Sequence, residues 1–325
     1  MRLHKILLGA GSLLALSHPA TAIEVDPYGS LRLGVEAVSP DGNVDDDYTG
    51  FRDAYSRVGL NVSQALQDEW TISAKVEIPL DLANFDVHSP DNNTDHLRVA
   101  KIQIASPLGT LWYGKGWMAY YNAIAYPVDY FSSYYSGWAT PTTFRRQDTL
   151  YYSSPSFGGF SVSAATTNDN GGISQNRNQY TASYSNSGLT ISAGLDDNTG
   201  DTADSIMGLA VSYTTGAWYA AAKYEEMDTN DANDGGTAMN LLLQYALDDK
   251  NTLRGMIADV DLPNWGGYGD TVVHVGWDHQ YNSDLKVFLE YYMEESTAAI
   301  STSNDSFSGV TNGGQVVTAG VRYDF

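Results

Sequence analysis

From Glu24 onward the chain alternates apolar and polar residues with a period of two, in segments of about ten residues. Leu31, Leu33, Val35 and Ala37 share one face, with Ser30, Arg32, Gly34 and Glu36 on the other. Trp70, Ile72, Ala74, Val76 and Ile78 likewise oppose Thr71, Ser73, Lys75 and Glu77. The pattern recurs to the last residues, where Val317, Ala319, Val321, Tyr323 and Phe325 oppose Thr318, Gly320, Arg322 and Asp324. It predicts sixteen strands, at 24–38, 51–64, 70–82, 96–105, 110–116, 145–153, 158–167, 178–185, 188–196, 204–214, 217–227, 237–246, 251–260, 270–281, 285–295 and 314–325. The connections alternate in length. Short ones such as "SPLG", "SNSG", "TTG" and "YNSD" exchange with long polar ones such as "SPDGNVDDDYTG" and "NFDVHSPDNNTD".

Alternation alone also suits a soluble sandwich, in which the polar face meets water. Three features favour a closed transmembrane antiparallel up-and-down β-barrel. Loop lengths alternate regularly, the polar face is rich in Gly, Ser and Thr with charges, and aromatic residues gather near strand ends. An even strand number lets such a barrel close with both ends of the chain on one side. No stretch reaches the roughly 18 apolar residues of a membrane helix, and a bilayer admits only helices and closed barrels. On this reading 314–325 is the closing strand, pairing with the first so that no edge remains. Phe325 and Tyr323 then lie in an aromatic girdle at the membrane boundary.

Residues 1–22 carry Arg2 and Lys5, an apolar run from Ile6 to Leu16 and Ala20-Thr21-Ala22, the layout of a cleaved signal peptide. Residues 23–325 are then one barrel domain. The net charge of −22 argues against a nucleic-acid partner that works by phosphate neutralisation. The absence of Cys excludes disulfides and thiolate metal sites. The 23 Tyr and 31 Gly fit β structure with many turns.

Two places disturb the alternation. In "HLRVAKIQIA" the apolar phase slips between Val99 and Ile102, and in "RRQDTLYY" the parity of Leu150 and Tyr152 points Arg146 and Asp148 outward. An Arg facing lipid at midplane costs about 2–4 kcal/mol. The first six strands are therefore expected to face another subunit, or to carry these charges at the membrane boundary.

The 29 residues from Gly116 to Phe144 form the longest connection, and the most aromatic one: Trp117, Tyr120, Tyr121, Tyr126, Tyr130, Phe131, Tyr134, Tyr135 and Trp138. A connection this long inside a compact domain is functional or disordered, and its composition argues against disorder. So much apolar surface calls for burial. The segment is expected to fold inward as a third loop and narrow the lumen.

"YSRVGLNVSQAL", "LGTLWYGKGWMAYYNAIAYPVDYF", "FRRQDTLYYSSPSFGGFSVSAA" and the final Tyr-Asp-Phe, in this order, make the chain resemble the Gram-negative outer-membrane general diffusion porins. The resemblance implies a homotrimeric, water-filled channel in the outer membrane for passive diffusion of small hydrophilic solutes and ions, without cofactors, metal or enzymatic activity. It implies a constriction with a basic wall at Arg57, Arg98, Lys115 and Arg145, to which strand parity adds Arg32. The opposing loop would present Asp129, its one carboxylate, with the aromatic residues Trp117, Tyr120, Tyr121 and Tyr130. The family's usual Pro-Glu-Phe-Gly-Gly is absent there, replaced by "SSYYSG", so the negative side of the field is expected to be weak. The resemblance also implies contact with outer-membrane lipid and lipopolysaccharide, and reading of Phe325 and Tyr323 by the barrel-insertion machinery.

Acidic runs such as "DGNVDDD" and "DTNDANDGG" lack the EF-hand spacing. They fit solvated loop rims that concentrate cations at the mouth, through Asp41, Asp45, Asp46, Asp47, Asp228, Asp231 and Asp234. Rim and constriction then act in opposite senses. His274 and His279 stand at i, i+5 on opposite faces, a poor metal pair. The alternatives to a general diffusion channel are a sugar- or anion-specific channel using the aromatic run, and an adhesin or structural barrel with a closed lumen.

Overall fold

The computed structural model describes residues 22–41, 47–67, 69–89, 96–140, 143–168, 176–199, 204–228, 234–262, 268–296, 299–301 and 313–325. The expected signal peptide, apart from Ala22, and the loop acids Asp45, Asp46 and Asp231 lie outside them. The strands are β1 (Glu24–Pro40), β2 (Tyr48–Asp53), β3 (Ser56–Ala65), β4 (Thr71–Leu80), β5 (Val99–Ser106), β6 (Gly109–Trp117), β7 (Arg145–Ser153), β8 (Phe160–Thr167), β9 (Arg177–Asn186), β10 (Leu189–Asn198), β11 (Ser205–Thr215), β12 (Trp218–Asp228), β13 (Thr237–Ala246), β14 (Asn251–Leu262), β15 (Tyr268–Gln280), β16 (Leu285–Glu294) and β17 (Gly314–Asp324). All belong to one antiparallel sheet. It closes where β17 pairs with β1, from Ser30↔Asp324 to Pro40↔Gly314.

The barrel has sixteen wall positions, as the alternation predicts, but seventeen strand segments. The expected strand 51–64 is broken at Ala54-Tyr55 into β2 and β3. Both pair with β1, at Leu33↔Asp53 and Ser30↔Arg57, with one extra residue on the broken side. Tyr55 takes the left-handed φ of 65° there. The backbone groups freed by this bulge are taken up locally. The Asp53 carboxylate accepts the amides of Ser56 (2.8 Å) and Leu82 (3.1 Å), and Ser56 Oγ accepts the amide of Arg32 at 2.7 Å. The extra residue has a consequence for the lumen. Arg52 and Arg57 are five apart and would face opposite ways in a regular strand, yet the bulge brings both to the inner face.

Short connections carry the turn chemistry that two-residue hairpins need. Between β9 and β10, Ser187 (φ 49°) and Gly188 (φ 86°) both adopt positive φ, the signature of a type I′ turn. The short connections, the start of β1 and the end of β17 lie at one end of the barrel, and the long connections at the other.

The two faces separate cleanly. The outward rows are apolar and exposed, for example the cross-strand neighbours Ile102, Tyr113 and Leu150. Apolar rows left open to the surroundings all round the wall are the lipid- or subunit-facing surface of a membrane barrel. The inner face carries Glu36, Arg52, Glu77, Arg98, Arg177, Glu225 and Glu290, all buried. Val99 lies on this inner face together with Lys101 and Gln103, and Ile102 on the outer one. The apparent phase slip is thus one apolar residue on the wet side of a regular strand.

The hydrophobic core lies inside the barrel, between its wall and the 116–144 segment. Tyr120, Ile124, Val128, Phe131, Tyr134, Tyr135 and Ala139 pack there against Ile206, Ala210, Ala221, Leu242, Met256 and Tyr292 of the wall. Full burial of such aliphatic or aromatic side chains contributes roughly 1.5–3 kcal/mol each.

Candidate pore constriction

The inward segment leaves β6 at Trp117 and returns at Arg145. Its base is tied by the Met118 amide, which donates to the Phe144 carbonyl at 3.0 Å. A short π-helical turn, Tyr121–Ala125, and a 3-10 turn, Tyr126–Val128, follow. The wall is cut to receive them. Gly194 of β10 and Gly208 of β11 are register partners, and Tyr120 and Ile124 fill the space where their Cβ atoms would stand.

Polar ties then fasten the segment around the wall. Gln179 accepts the Tyr120 amide at 2.9 Å, and the Tyr219 hydroxyl donates to the Pro127 carbonyl at 2.8 Å. Glu290 accepts the amides of Ser132 (2.7 Å) and Ser133 (3.0 Å) and contacts His274 Nε2 at 3.0 Å. The Tyr135 hydroxyl donates to Glu36 at 3.0 Å, and Asn240 Nδ2 donates to the Ala139 carbonyl at 3.0 Å. Phe131 stacks on His274 with centroids 3.5 Å apart, and Tyr135 on Tyr292 at 4.8 Å. Each buried wall carboxylate here meets a donor, which offsets the cost of removing it from water.

A basic group stands on β1, β3, β17 and the residue just before β5. Arg98 and Arg57 both pair with Glu77, at 2.9 and 3.6 Å, and the Tyr28 hydroxyl donates to the same carboxylate at 2.9 Å. Tyr28 reaches it by lying over Gly59, where a Cβ would collide with the ring. Arg32 donates to Ser30 Oγ at 2.8 Å and makes no ion pair among the described residues. It stands within electrostatic reach of Arg57, Arg98 and its register partner Arg322, and of the Asp324 carboxylate. Arg322 itself pairs with Asp324 at 2.7 Å.

The segment presents Trp117 to this group. Trp117 stacks on Tyr121 at 4.5 Å and meets Phe144 edge-on, and the Arg145 guanidinium sits 4.6 Å from its ring centroid. A recess of about 360 Å³ is bordered by Tyr28, Ser30, Arg57, Lys75, Glu77 and Trp117, so both sides contribute to one space. Asp129 accepts the hydroxyls of Tyr121 (2.8 Å) and Ser136 and feels the charge of Arg32. Its carboxylate is committed to its own segment. Tyr130 packs edge-on against Tyr219, at 5.2 Å.

Two of the expected residues stand elsewhere. Tyr120 is fully buried between segment and wall, so it borders no passage. Lys115 pairs in register with Ala100, which continues the outer row of Ile104 and Ile102. A bulge between Gly114 and Gly116 sets Lys115 against both Gln147 and Asp148. Asp148, at φ 52°, accepts the hydroxyl of outward-facing Tyr113 at 3.4 Å. The same bulge reverses the phase beyond it. Arg146 now shares the face of its partner Gly116, whose absent Cβ would point at the inner Trp112 ring, instead of facing outward with Asp148. The inner-face cations Lys101, Lys286 and Arg254 belong to none of the expected sets. Alternation in the sequence places each of them opposite apolar neighbours, but their grouping comes from register between strands.

A family model described as Gram-negative porin matches residues 7–299. The chain belongs to the Gram-negative porin family. This porin forms a diffusion channel in the outer membrane. Its barrel is similar to several solved porin structures. It superposes on Salmonella typhi OmpF, solved in complex with daunomycin, with a TM-score of 0.72 at 18% identity, covering 93% of this chain and 97% of that one. The anion-selective porin from Comamonas acidovorans gives 0.71 at 15% identity, over 94% and 100% of the two chains. The trimer form of OmpT from Vibrio cholerae gives 0.70 at 18% identity, over 94% and 100%. No curated protein matches the chain.

Proposed function

We propose that this porin passes small hydrophilic solutes and ions through a lumen narrowed at 116–144, and that the narrowing favours anions. The observation that supports this is an imbalance of charge. Four arginines, Arg32, Arg57, Arg98 and Arg322, converge with two carboxylates, Glu77 and Asp324, among them, while Asp129, the one carboxylate of the opposing segment, is bonded to Tyr121 and Ser136. Opposed groups in a confined, partly low-dielectric passage act on a passing ion strongly without holding it, because conduction requires release. Trp117 borders the passage, backed by the stacked ring of the buried Tyr121, and the Arg145 guanidinium sits over the Trp117 ring.

The working unit is a homotrimer, exported by means of the signal peptide at 1–22. The exposed apolar rows of the first six strands supply the subunit contact. Tyr323 and Phe325, stacked at 5.6 Å beside the β1–β17 seam, meet the lipid boundary and the insertion machinery. Purified protein in planar bilayers tests the reading: ohmic current with a reversal potential of anion sign in a potassium chloride gradient supports it. A cation-sign potential contradicts the assigned charge balance, and absence of current contradicts the open channel.

A further inference from the structure

Lys75 of β4 and Lys101 of β5 are direct register partners. Both project into the lumen, two residues along the strand from Glu77 toward the short-turn end. Like charges directly opposite on adjacent strands weaken a sheet, so this pairing calls for an explanation. Neither lysine makes an ion pair among the described residues. Each is held by an aromatic ring instead: Lys75 Nζ lies 4.4 Å from the Tyr28 centroid and Lys101 Nζ 5.0 Å from that of Trp112. Lys101 also donates to Gln103 Oε1 at 3.0 Å.

These supports orient an ammonium group without cancelling its charge. The one acid nearby on the inner face of β4, Glu77, is engaged by Arg57, Arg98 and Tyr28. The rings are fixed in turn. Tyr28 is anchored by its bond to Glu77 over Gly59, and Trp112 stacks on Tyr151 at 5.0 Å. Beyond Lys101 the same row reaches Gly114, which brings no side chain to fill the space beside the ammonium group. On the other side of Lys75 the row holds Asn61, which donates to Asp26 at 3.5 Å and so stands between that acid and the lysine.

We infer that Lys75 and Lys101 form a binding station for a small oxyanion of charge −2, just past the arginine group on the way to the short-turn end. Adjacent strands place the two lysine Cα atoms about 4.5–5.5 Å apart, so one phosphate-sized group reaches both ammonium groups. The inference rests on the channel reading. It adds a solute class and a saturable site to a passage otherwise governed by the arginines. A dianion shared between two cations replaces their repulsion with attraction and still leaves readily, since both lysines remain partly exposed to the lumen.

Inorganic phosphate at pH 8, where the dianion dominates, is the probe. Chloride current through single channels should fall saturably as millimolar phosphate is added. The Lys75→Gln and Lys101→Gln variants should each weaken that effect about tenfold while conducting in chloride alone. Lys101→Arg, which keeps the charge, should retain it. Open wild-type channels with no saturable phosphate effect, or Gln variants with an unchanged one, overturn the station and leave the channel reading standing. Absence of any wild-type current in chloride overturns both.

Discussion

Glu290 of β16 accepts the backbone amide of Ser132 at 2.7 Å, so a wall strand grips the inward segment by its main chain, more than 150 residues away in sequence. The neighbouring Ser133 amide and His274 complete the arrangement. Breaking it leaves buried donors unmet, at about 1–3 kcal/mol for each. Glu290→Ala should therefore loosen the segment tip without opening the barrel. The expected outcome is greater open-channel current noise and faster proteolytic cleavage within 130–140, with the β circular-dichroism spectrum unchanged. Noise and cleavage equal to wild type would show that the grip is dispensable.

The glycine notch that receives Tyr120 makes a second point of failure. Gly208→Val places a side chain in the space occupied by the Tyr120 ring and Ile124. The segment must then shift. Tyr120→Ala leaves a cavity in the same place, and loss of a large buried aromatic side chain costs about 3–5 kcal/mol. Both variants should lower the unfolding midpoint in detergent. Gly208→Val should also change single-channel conductance, because it displaces the segment toward the passage.

Tyr28 links two charged sets, since its hydroxyl serves Glu77 and its ring serves Lys75. Tyr28→Phe removes only the hydroxyl. A hydrogen bond to a charged acceptor is worth about 1.5–3 kcal/mol, and the Glu77 carboxylate loses one of its three partners. Stability should fall by an amount in or below that range, measured by denaturant unfolding, while current in potassium chloride keeps its sign of selectivity.

Neighbouring residues on β13 report the two faces of the wall. Leu241 is half-exposed on the outer face, and Leu242 is fully buried inside. Leu241→Arg near mid-strand should cost about 2–4 kcal/mol in a bilayer. Leu241→Phe should be nearly neutral there. Reversible unfolding in lipid vesicles measures both, and equal stability of the Arg and Phe variants would contradict a lipid-facing Leu241.

Much of this was legible from alternation. Leu241, Leu243 and their equivalents on other strands announce an apolar outer face by period alone. Density of aromatic residues from Trp117 to Trp138 announces a segment that needs an interior to pack in. Other features depend on geometry that spacing does not encode. The bulge at Tyr55 falls inside a stretch whose apolar phase resumes at Val58, so a single strand is the natural reading. The bulge at Gly114 reverses the phase near Arg146, which simple parity misplaces, whereas Lys115 keeps the parity of Leu111 and Tyr113 and only the resemblance sets it in the basic wall. The juxtaposition of Lys75 with Lys101 depends on register between β4 and β5, which a single strand's pattern does not contain. Tyr120 looks like its aromatic neighbours in sequence, and only the paired glycines on β10 and β11 reveal that it points into the wall.

The reversal potential in a salt gradient tests the basic wall most directly, on wild type and on the Arg57→Ala, Arg98→Ala double variant. Removing both arginines leaves Glu77 with only the Tyr28 hydroxyl among these partners, so the charge at the constriction falls by two units. The account predicts an anion-sign potential for wild type that moves toward cations in the variant, with current retained. An unchanged potential would contradict the claim that these residues govern the passage.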